Sequence, residues 1–429
     1  MILACSECGA VAASQDVLFC PDCNGLLAFQ LDTGRLDGEA LRRRFDARRA
    51  SNDPRDRSGV WRYRDLLPEI AASDVVTLRE NDVPLYDART GAEYADATRV
   101  AYLHLGMNPT ASFKDAGMTV AISHAKSRGA RVAICASTGN TAAAMAAYAA
   151  RAGIGAVVLV PRTGVSEAKM AQTLDYGATV VGIEGDFDRA LEVVRAQDPE
   201  RVAIVNSVNP YRIEGQKCAA FTMLAAREWR VPDWVILPGG NLGNTSAFGK
   251  GLREALALGL IDRLPRLGVV QAEGAAPFAR LFRDGGELQP VSARTTATAI
   301  KIGAPASWKK ALAEVRASHG VVTDVSDAEI ADARAAIGRD GIGCEPASAA
   351  SLAGLRRLRA EHVIERNDDV VLVLTGHVLK DTAYAAHYHA SHERFSNTIV
   401  AADDDAALAR VIENAGAAHS HAAVGAARG

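Results

Sequence analysis

A lysine beside a helix start and two cysteine pairs near the beginning of the chain are the residues best placed to do chemistry. Lys114 lies in the run His104-Leu-Gly-Met-Asn-Pro-Thr-Ala-Ser-Phe-Lys114-Asp. Asn108-Pro109 breaks the strand before it, and Ser112 is placed to cap a helix with Lys114 in its first turn. The positive helix end opposes a cation there, so the amine should lose its proton more easily and become a better nucleophile. An ordinary surface lysine is the alternative on chemistry alone. Cys5-x2-Cys8 and Cys20-x2-Cys23 stand eleven residues apart. Two such pairs supply the four sulfurs of a tetrahedral zinc site, and Gly9 and Gly25 would permit the tight backbone after each pair. Four thiolates leave no open position, so a zinc held by them is structural; paired redox dithiols are the alternative.

Four loops read as ligand sites. Ser137-Thr-Gly-Asn-Thr141 runs from a strand into a helix, where free N–H groups and hydroxyls suit an anion; a plain capped turn is the alternative. Pro238-Gly-Gly-Asn-Leu-Gly-Asn244 has three glycines that let backbone amides close on a phosphate. It lacks the G-x-x-x-x-G-K-[ST] pattern of a P-loop. Asn206-Ser-Val-Asn-Pro-Tyr-Arg212 offers an arginine fork with hydroxyl and amide donors, again suited to phosphate. Thr375-Gly-His-Val-Leu-Lys-Asp381 follows the last strong apolar run, at the strand end where open α/β sheets bind ligands.

The elements that must carry these loops follow from periodicity. Apolar runs at 131–136, 156–160, 179–183, 234–237, 267–271 and 370–374 read as strands. Amphipathic stretches at 141–152, 166–176, 187–196, 214–229, 245–258 and 346–358 read as helices, with a further one near 39–49. Strands alternating with helices predict an α/β fold with a mostly parallel sheet covered on both faces. The last residues, AAHSHAAVGAARG, are small and of low complexity and read as a frayed tail.

Composition bounds the rest. The 429 residues are 48% hydrophobic, 23% charged and only 5% aromatic, which is ordinary globular composition with room for two or three domains. A net charge of −3, with Glu7 and Asp22 inside the cysteine knuckle, argues against nucleic-acid binding. No apolar run is long enough to span a bilayer, and MILACSECGA lacks a basic, then apolar, leader. The protein reads as cytoplasmic with no membrane partner. Seven cysteines in such a chain argue against a disulfide framework.

Taken together, the motifs are recognisable. N-P-T-A-S-F-K-D resembles the Schiff-base lysine motif of threonine synthases, members of the β-family (fold type II) of pyridoxal-phosphate enzymes. That family commonly has Gly at Ala111, often Arg at Ala116, and more often Asn at Ala304. The other motifs follow in family order through about residue 395. The resemblance implies a two-domain, tryptophan synthase β-like fold with an N-terminal zinc ribbon. Its expected parts are a ribbon over 1–30, a connector and start of the large domain over 31–98, a small domain over 99–205, a large domain over 206–400 and a partly disordered tail over 401–429.

The resemblance also implies roles. Lys114 would bind pyridoxal 5′-phosphate; Asn140 would contact its 3′-oxygen; Gly240, Asn241, Leu242, Gly243 and Asn244 its phosphate; Thr375 its ring nitrogen. Ser137, Thr138 and Thr141 would take the substrate carboxylate. Asn206, Ser207 and Arg212 would take the phosphate of O-phospho-L-homoserine. Cys5, Cys8, Cys20 and Cys23 would hold structural zinc. The implied reaction turns O-phospho-L-homoserine and water into L-threonine and phosphate, the last step of threonine biosynthesis, in a homodimer. The alternatives are a relative using another phosphorylated amino acid, such as a cysteate synthase, a dehydratase of the same fold, and a non-catalytic zinc-ribbon protein.

Overall fold

The computed structural model describes residues 1–429 except 163–166, 186, 199–200, 392–393, 398, 400–404 and 426–429, and only the backbone of 167–169, 187–188 and 416–425. In chain order the first elements are β1 (Ile2–Cys5), β2 (Leu27–Gln30), α1 (Gly38–Arg49), β3 (Leu85–Asp87), α2 (Thr90–Tyr94), β4 (Arg99–His104) and α3 (Lys114–Ser127). Next come β5 (Val132–Ala136), α4 (Asn140–Ala152), β6 (Gly155–Pro161), α5 (Glu167–Asp175), β7 (Thr179–Ile183), α6 (Phe187–Arg195), β8 (Ala203–Ile204) and α7 (Pro210–Ala226). The remainder is β9 (Trp234–Pro238), α8 (Gly243–Ala257), β10 (Arg266–Ala272), α9 (Pro277–Asp284), α10 (Trp308–Ala317), β11 (Val321–Val325), α11 (Asp327–Arg339), α12 (Pro346–Ala360), β12 (Asp369–Leu374), α13 (Thr382–Ala390) and α14 (Asp405–Gly425).

Among the described residues the strands form three sheets. A six-stranded sheet has the order β11-β10-β9-β12-β4-β3, parallel except for the β3–β4 pair. A four-stranded parallel sheet has the order β7-β6-β5-β8. The N-terminal β1–β2 ladder is antiparallel. The central strands β9 and β12 are almost wholly buried, as parallel strands covered on both faces must be.

Three helices that carry the site pack through glycines. A Cβ on Gly215 of α7 would lie 1.8 Å from the Ala116 carbonyl of α3, and one on Gly251 of α8 would lie 2.6 Å from the Lys217 carbonyl of α7. Without side chains at these crossings the backbones approach closely, which brings the first turns of α3 and α7 side by side.

Several expectations need correction. Residues 99–104, grouped from the sequence with the small domain, pair with β12 in the six-stranded sheet. Helix α7 starts at Pro210 rather than 214, because the Asn209 side chain accepts from the Tyr211 N–H and Pro210 fits the first turn. The expected helix at 166–176 begins on residues outside those described. The chain divides into compact units Met1–Tyr384 and Ala385–Gly429, so the expected large domain over 206–400 crosses a boundary. Helix α14 extends to Gly425, into the stretch 417–429 that the sequence suggests would fray. Among the described residues no helix is long and apolar enough to cross a membrane.

Candidate active site and metal knuckle

Lys114 is the first residue of α3, but Ser112 does not cap the helix. Phe113 already has helical dihedrals and occupies the cap position, and no side chain caps it. The Ser112 hydroxyl is buried without a partner among the described residues. Lys114 is half-buried, its Nζ 4.2 Å from the centre of the Phe113 ring. Burial, then the charge of Arg212, lower its pKa to about 7 against the opposing pull of Glu345. The lowered value expected from the helix end therefore arises here from desolvation and a second cation.

The lysine loop is laced to the end of β12. Phe113 N–H donates to the Thr375 carbonyl at 2.8 Å, and His377 N–H donates to the Ala111 carbonyl at 3.1 Å. Ala111 sits at φ +63°, in the left-handed region where glycine is at home. Asp115 holds the other side of the loop: its carboxylate accepts from the Thr110 N–H at 2.7 Å and from the Thr110 hydroxyl. Thr375 is buried, and its hydroxyl lies 3.0 Å from that of Ser348 and 3.4 Å from the Glu345 carboxyl.

From the four-stranded sheet, β5 ends at Ala136 and the half-buried Ser137, Thr138, Asn140 and Thr141 lead into α4. The Asn140 amide reaches the same Glu345 carboxyl at 3.1 and 3.4 Å. Asn206 behaves differently from expectation. Its side-chain amide makes a two-way pair with the Ala136 peptide, donating at 3.0 Å and accepting at 3.2 Å, so it fixes the strand end and keeps Ser207 beside it.

The glycine-rich loop follows β9. The left-handed residue there is Leu242, φ +62°, not a glycine; Gly239 instead leaves room for Val269, 2.9 Å from where its Cβ would lie. Gly240, Asn241, Leu242, Gly243 and Asn244 thus bend into α8, and both polar atoms of the Asn244 side chain and the Thr245 hydroxyl are buried without partners among the described residues. Asn241 donates to the Ser207 hydroxyl at 2.6 Å and accepts from the Ala306 N–H at 2.6 Å, joining this loop to the Asn206–Arg212 loop.

Arg212 is 1% exposed. One guanidinium nitrogen donates to the Val205 carbonyl at 3.2 Å, while Nε has no partner and no carboxylate pairs with it among the described residues. Burial lowers its pKa to about 10.

Residues 76–376 match the model of a family described as pyridoxal-phosphate dependent enzyme. The chain is 42% identical to the threonine synthase of Methanosarcina acetivorans, over 88% of this chain and 92% of that one. It is 47% identical to that of Synechocystis sp. over 76% of this chain and 86% of the relative. The chain belongs to the threonine synthase family of pyridoxal-phosphate-dependent enzymes. The solved threonine synthase of Escherichia coli has the same fold, with a TM-score of 0.66 at 19% identity, covering 96% of this chain and 100% of that one. A threonine deaminase of Solanum lycopersicum also shares the fold, at TM-score 0.62 and 18% identity over 82% and 93% of the two chains.

The residues present fit the family's cofactor. A phosphate needs several donors and tolerates no filled space. The partnerless Asn244, Thr245 and Ser112 side chains, at the start of α8 and before α3, meet the first need.

The knuckle fits a metal of its own. Cys5–Cys23, Cys8–Cys23 and Cys8–Cys20 sulfurs lie 3.4, 3.5 and 3.6 Å apart, and all four lie within 4.8 Å of one another. Tetrahedral zinc with bonds of about 2.3 Å needs sulfurs about 3.8 Å apart. Gly9 does adopt a left-handed φ of +77°, but in the second turn that role falls to Asn24 at φ +58°. Gly25 serves clearance: a Cβ there would sit 2.9 Å from the Cys5 sulfur. The knuckle is tied to the body by the Glu7–Lys309 ion pair and by Lys250 donating to the Phe29 carbonyl at 2.6 Å.

Sequence reasoning passed over Glu345 and Ser348. Both lie in Cys344-Glu-Pro-Ala-Ser348, a run noticed as family-like but given no chemistry. The available signal was an acid before a helix-starting proline, which reads as an ordinary cap.

Proposed function

We propose that the protein converts O-phospho-L-homoserine and water into L-threonine and inorganic phosphate. The observation that carries this reading is Arg212. A buried arginine without a carboxylate is costly unless a ligand brings the counter-charge, and a substrate phosphate monoester does so. Ser207, held by Asn241, adds a hydroxyl on the same side.

Lys114 is the catalytic residue of this reading. Pyridoxal phosphate bound through Lys114 would supply an electron sink that acidifies the substrate's α- and β-carbons. The free Lys114 amine would take the substrate's α-proton and move protons between carbons, a task suited to an amine whose pKa burial and Arg212 lower. Ser137, Thr138 and Thr141 hold the substrate carboxylate at the start of α4. Arg212 and Ser207 neutralise the phosphate as it departs from the γ-carbon, and water adds at the β-carbon. Asn140 would contact the cofactor's 3′-oxygen, Thr375 its ring nitrogen, and the loop from Gly240 to Asn244 its phosphate. Asn206 is assigned to positioning Ser207 rather than to contacting substrate. Cys5, Cys8, Cys20 and Cys23 hold a structural zinc, and the working form is a cytoplasmic homodimer; family membership supports these last two assignments.

The test measures phosphate release from O-phosphohomoserine and O-phosphoserine, and turnover of threonine, with the amino-acid product identified. Threonine and phosphate should form from the first substrate alone. Comparable turnover of O-phosphoserine, or deamination of threonine at a similar rate, would replace this reading by one of its relatives. Lys114→Ala should abolish turnover together with the visible absorbance of the lysine-bound cofactor.

A further inference from the structure

Glu345 is the N-cap residue of α12, with Pro346 in the first turn. An acid there ordinarily accepts from the N–H groups of its own helix, yet the Glu345 side chain makes no cap bond. It turns away and accepts from the Asn140 amide at 3.1 and 3.4 Å and from the Thr375 hydroxyl at 3.4 Å. Asn140 begins α4, which follows the four-stranded sheet; Thr375 ends β12 of the six-stranded sheet. One carboxyl thus spans the two halves of the site.

Its surroundings fix it there. Glu345 N–H donates to the Gly376 carbonyl at 3.0 Å, and Cys344 forms a β-bridge with His377. A Cβ on Gly376 would lie 2.4 Å from the carboxyl carbon, so a side chain there would displace the carboxyl. Ser348, one turn on, accepts from the Thr375 and Gly376 N–H groups, both at 2.9 Å. No ion pair forms with the carboxyl among the described residues. Burial raises its pKa, against the opposing effects of Asn140, Lys380, Lys114 and Thr375, because desolvation disfavours the charged form.

We propose that Glu345 is a positioning residue that sets the spacing of Asn140 and Thr375 around the cofactor ring through hydrogen-bond geometry rather than charge. This rests on the reading that those two side chains face the ring. A geometric role needs the length and polarity of the side chain, both of which glutamine keeps; aspartate keeps the charge but withdraws the carboxyl by one methylene.

The experiment compares E345Q and E345D with the unaltered protein by cofactor dissociation constant, visible absorption, kcat and KM for O-phosphohomoserine, and melting of the cofactor-free forms. E345D should weaken cofactor binding by about tenfold or more, because Asn140 and Thr375 then no longer stand at the spacing the ring needs. It should shift the visible band and lower kcat more than it changes KM, with little change in cofactor-free melting. E345Q should stay within about threefold of the parent in every measure. Three results would overturn the proposal: E345D equal to the parent, E345Q as damaged as E345D, or E345D losing stability in step with affinity, which is a purely structural role. Failure of the underlying reading is separate: the unaltered protein would then form no Lys114-dependent visible band.

Discussion

Arg212 and Lys217 are both buried cations on α7, five residues apart, and their surroundings are opposite. Lys217 meets Glu214 at 2.6 Å and Glu254 at 2.8 Å, and Lys250 of α8 pairs with the same two carboxylates. Burial works against its charge, but Glu214 and Glu254 outweigh that and hold its pKa above the ordinary lysine range. Two cations and two anions cancel, and the cluster clamps α7 to α8. Arg212 has no such partner among the described residues, and burial lowers its pKa to about 10. One helix therefore carries a charge balanced by the protein and a charge left for a ligand to balance. An unbalanced buried charge costs folding free energy, so its persistence points to function, whereas the balanced one needs no ligand to explain it.

The sharpest way to break this contrast is Arg212→Ala. Removing a buried charge that meets a substrate phosphate should lower kcat/KM for O-phosphohomoserine by roughly 10³-fold, in the range of buried charge-assisted contacts. The cofactor dissociation constant should stay near that of the parent, and the cofactor-free protein should melt no lower. Loss of cofactor binding and substrate turnover in equal measure would put Arg212 in the other phosphate pocket. Lys217→Met should do the reverse. It leaves Glu214 and Glu254 short of a partner and should cost about 3–5 kcal/mol of stability in denaturant unfolding, with KM for the phospho-substrate unchanged in the folded fraction. A raised KM without destabilisation would erase the distinction. A smaller effect separates the two without mutating Lys217. Inorganic phosphate should stabilise the parent by about 2.7 kcal/mol at a hundred times its dissociation constant, and should stabilise Arg212→Ala distinctly less.

How legible these features were depended on how local they are. Strands β5, β6, β9, β10 and β12 could be read because each is a continuous apolar run. β8 is two residues long and β11 contains Thr323 and Asp324, so neither presents such a run; β4, apolar from Val100 to Leu103, is legible only as the strand that Asn108-Pro109 breaks. Lys114 and Arg212 stood out through their motifs. The reason for the lysine's lowered pKa did not, since it needs α3 and α7 to cross at Gly215, a tertiary fact. Ser112 failed as a cap because Phe113 turns helical one residue early. Glu345 was invisible because the partners it reaches lie 205 and 30 residues away in the chain.

The smallest effect tests whether Arg212 also tunes Lys114. The Lys114 pKa of about 7 comes first from burial and second from the positive Arg212. In the cofactor-free protein, pH values between about 7 and the ordinary lysine range leave the folded amine neutral while the unfolded chain still holds the proton. The unfolded state then binds more protons, so the contribution of Lys114 to stability rises with pH across that window and is least favourable below it. Lys114→Met should therefore lose its relative stability advantage as pH increases. Capture of pyridoxal phosphate needs the neutral amine, so its rate should climb through about pH 7 and level off above it. Arg212→Ala removes the repelling charge but not the burial, so the midpoint should move upward without reaching the value of a free lysine. An unchanged midpoint would leave burial as the sole cause and confine Arg212 to the substrate phosphate. A midpoint that rises while Lys217→Met leaves it in place would extend the contrast on α7 from binding to proton transfer.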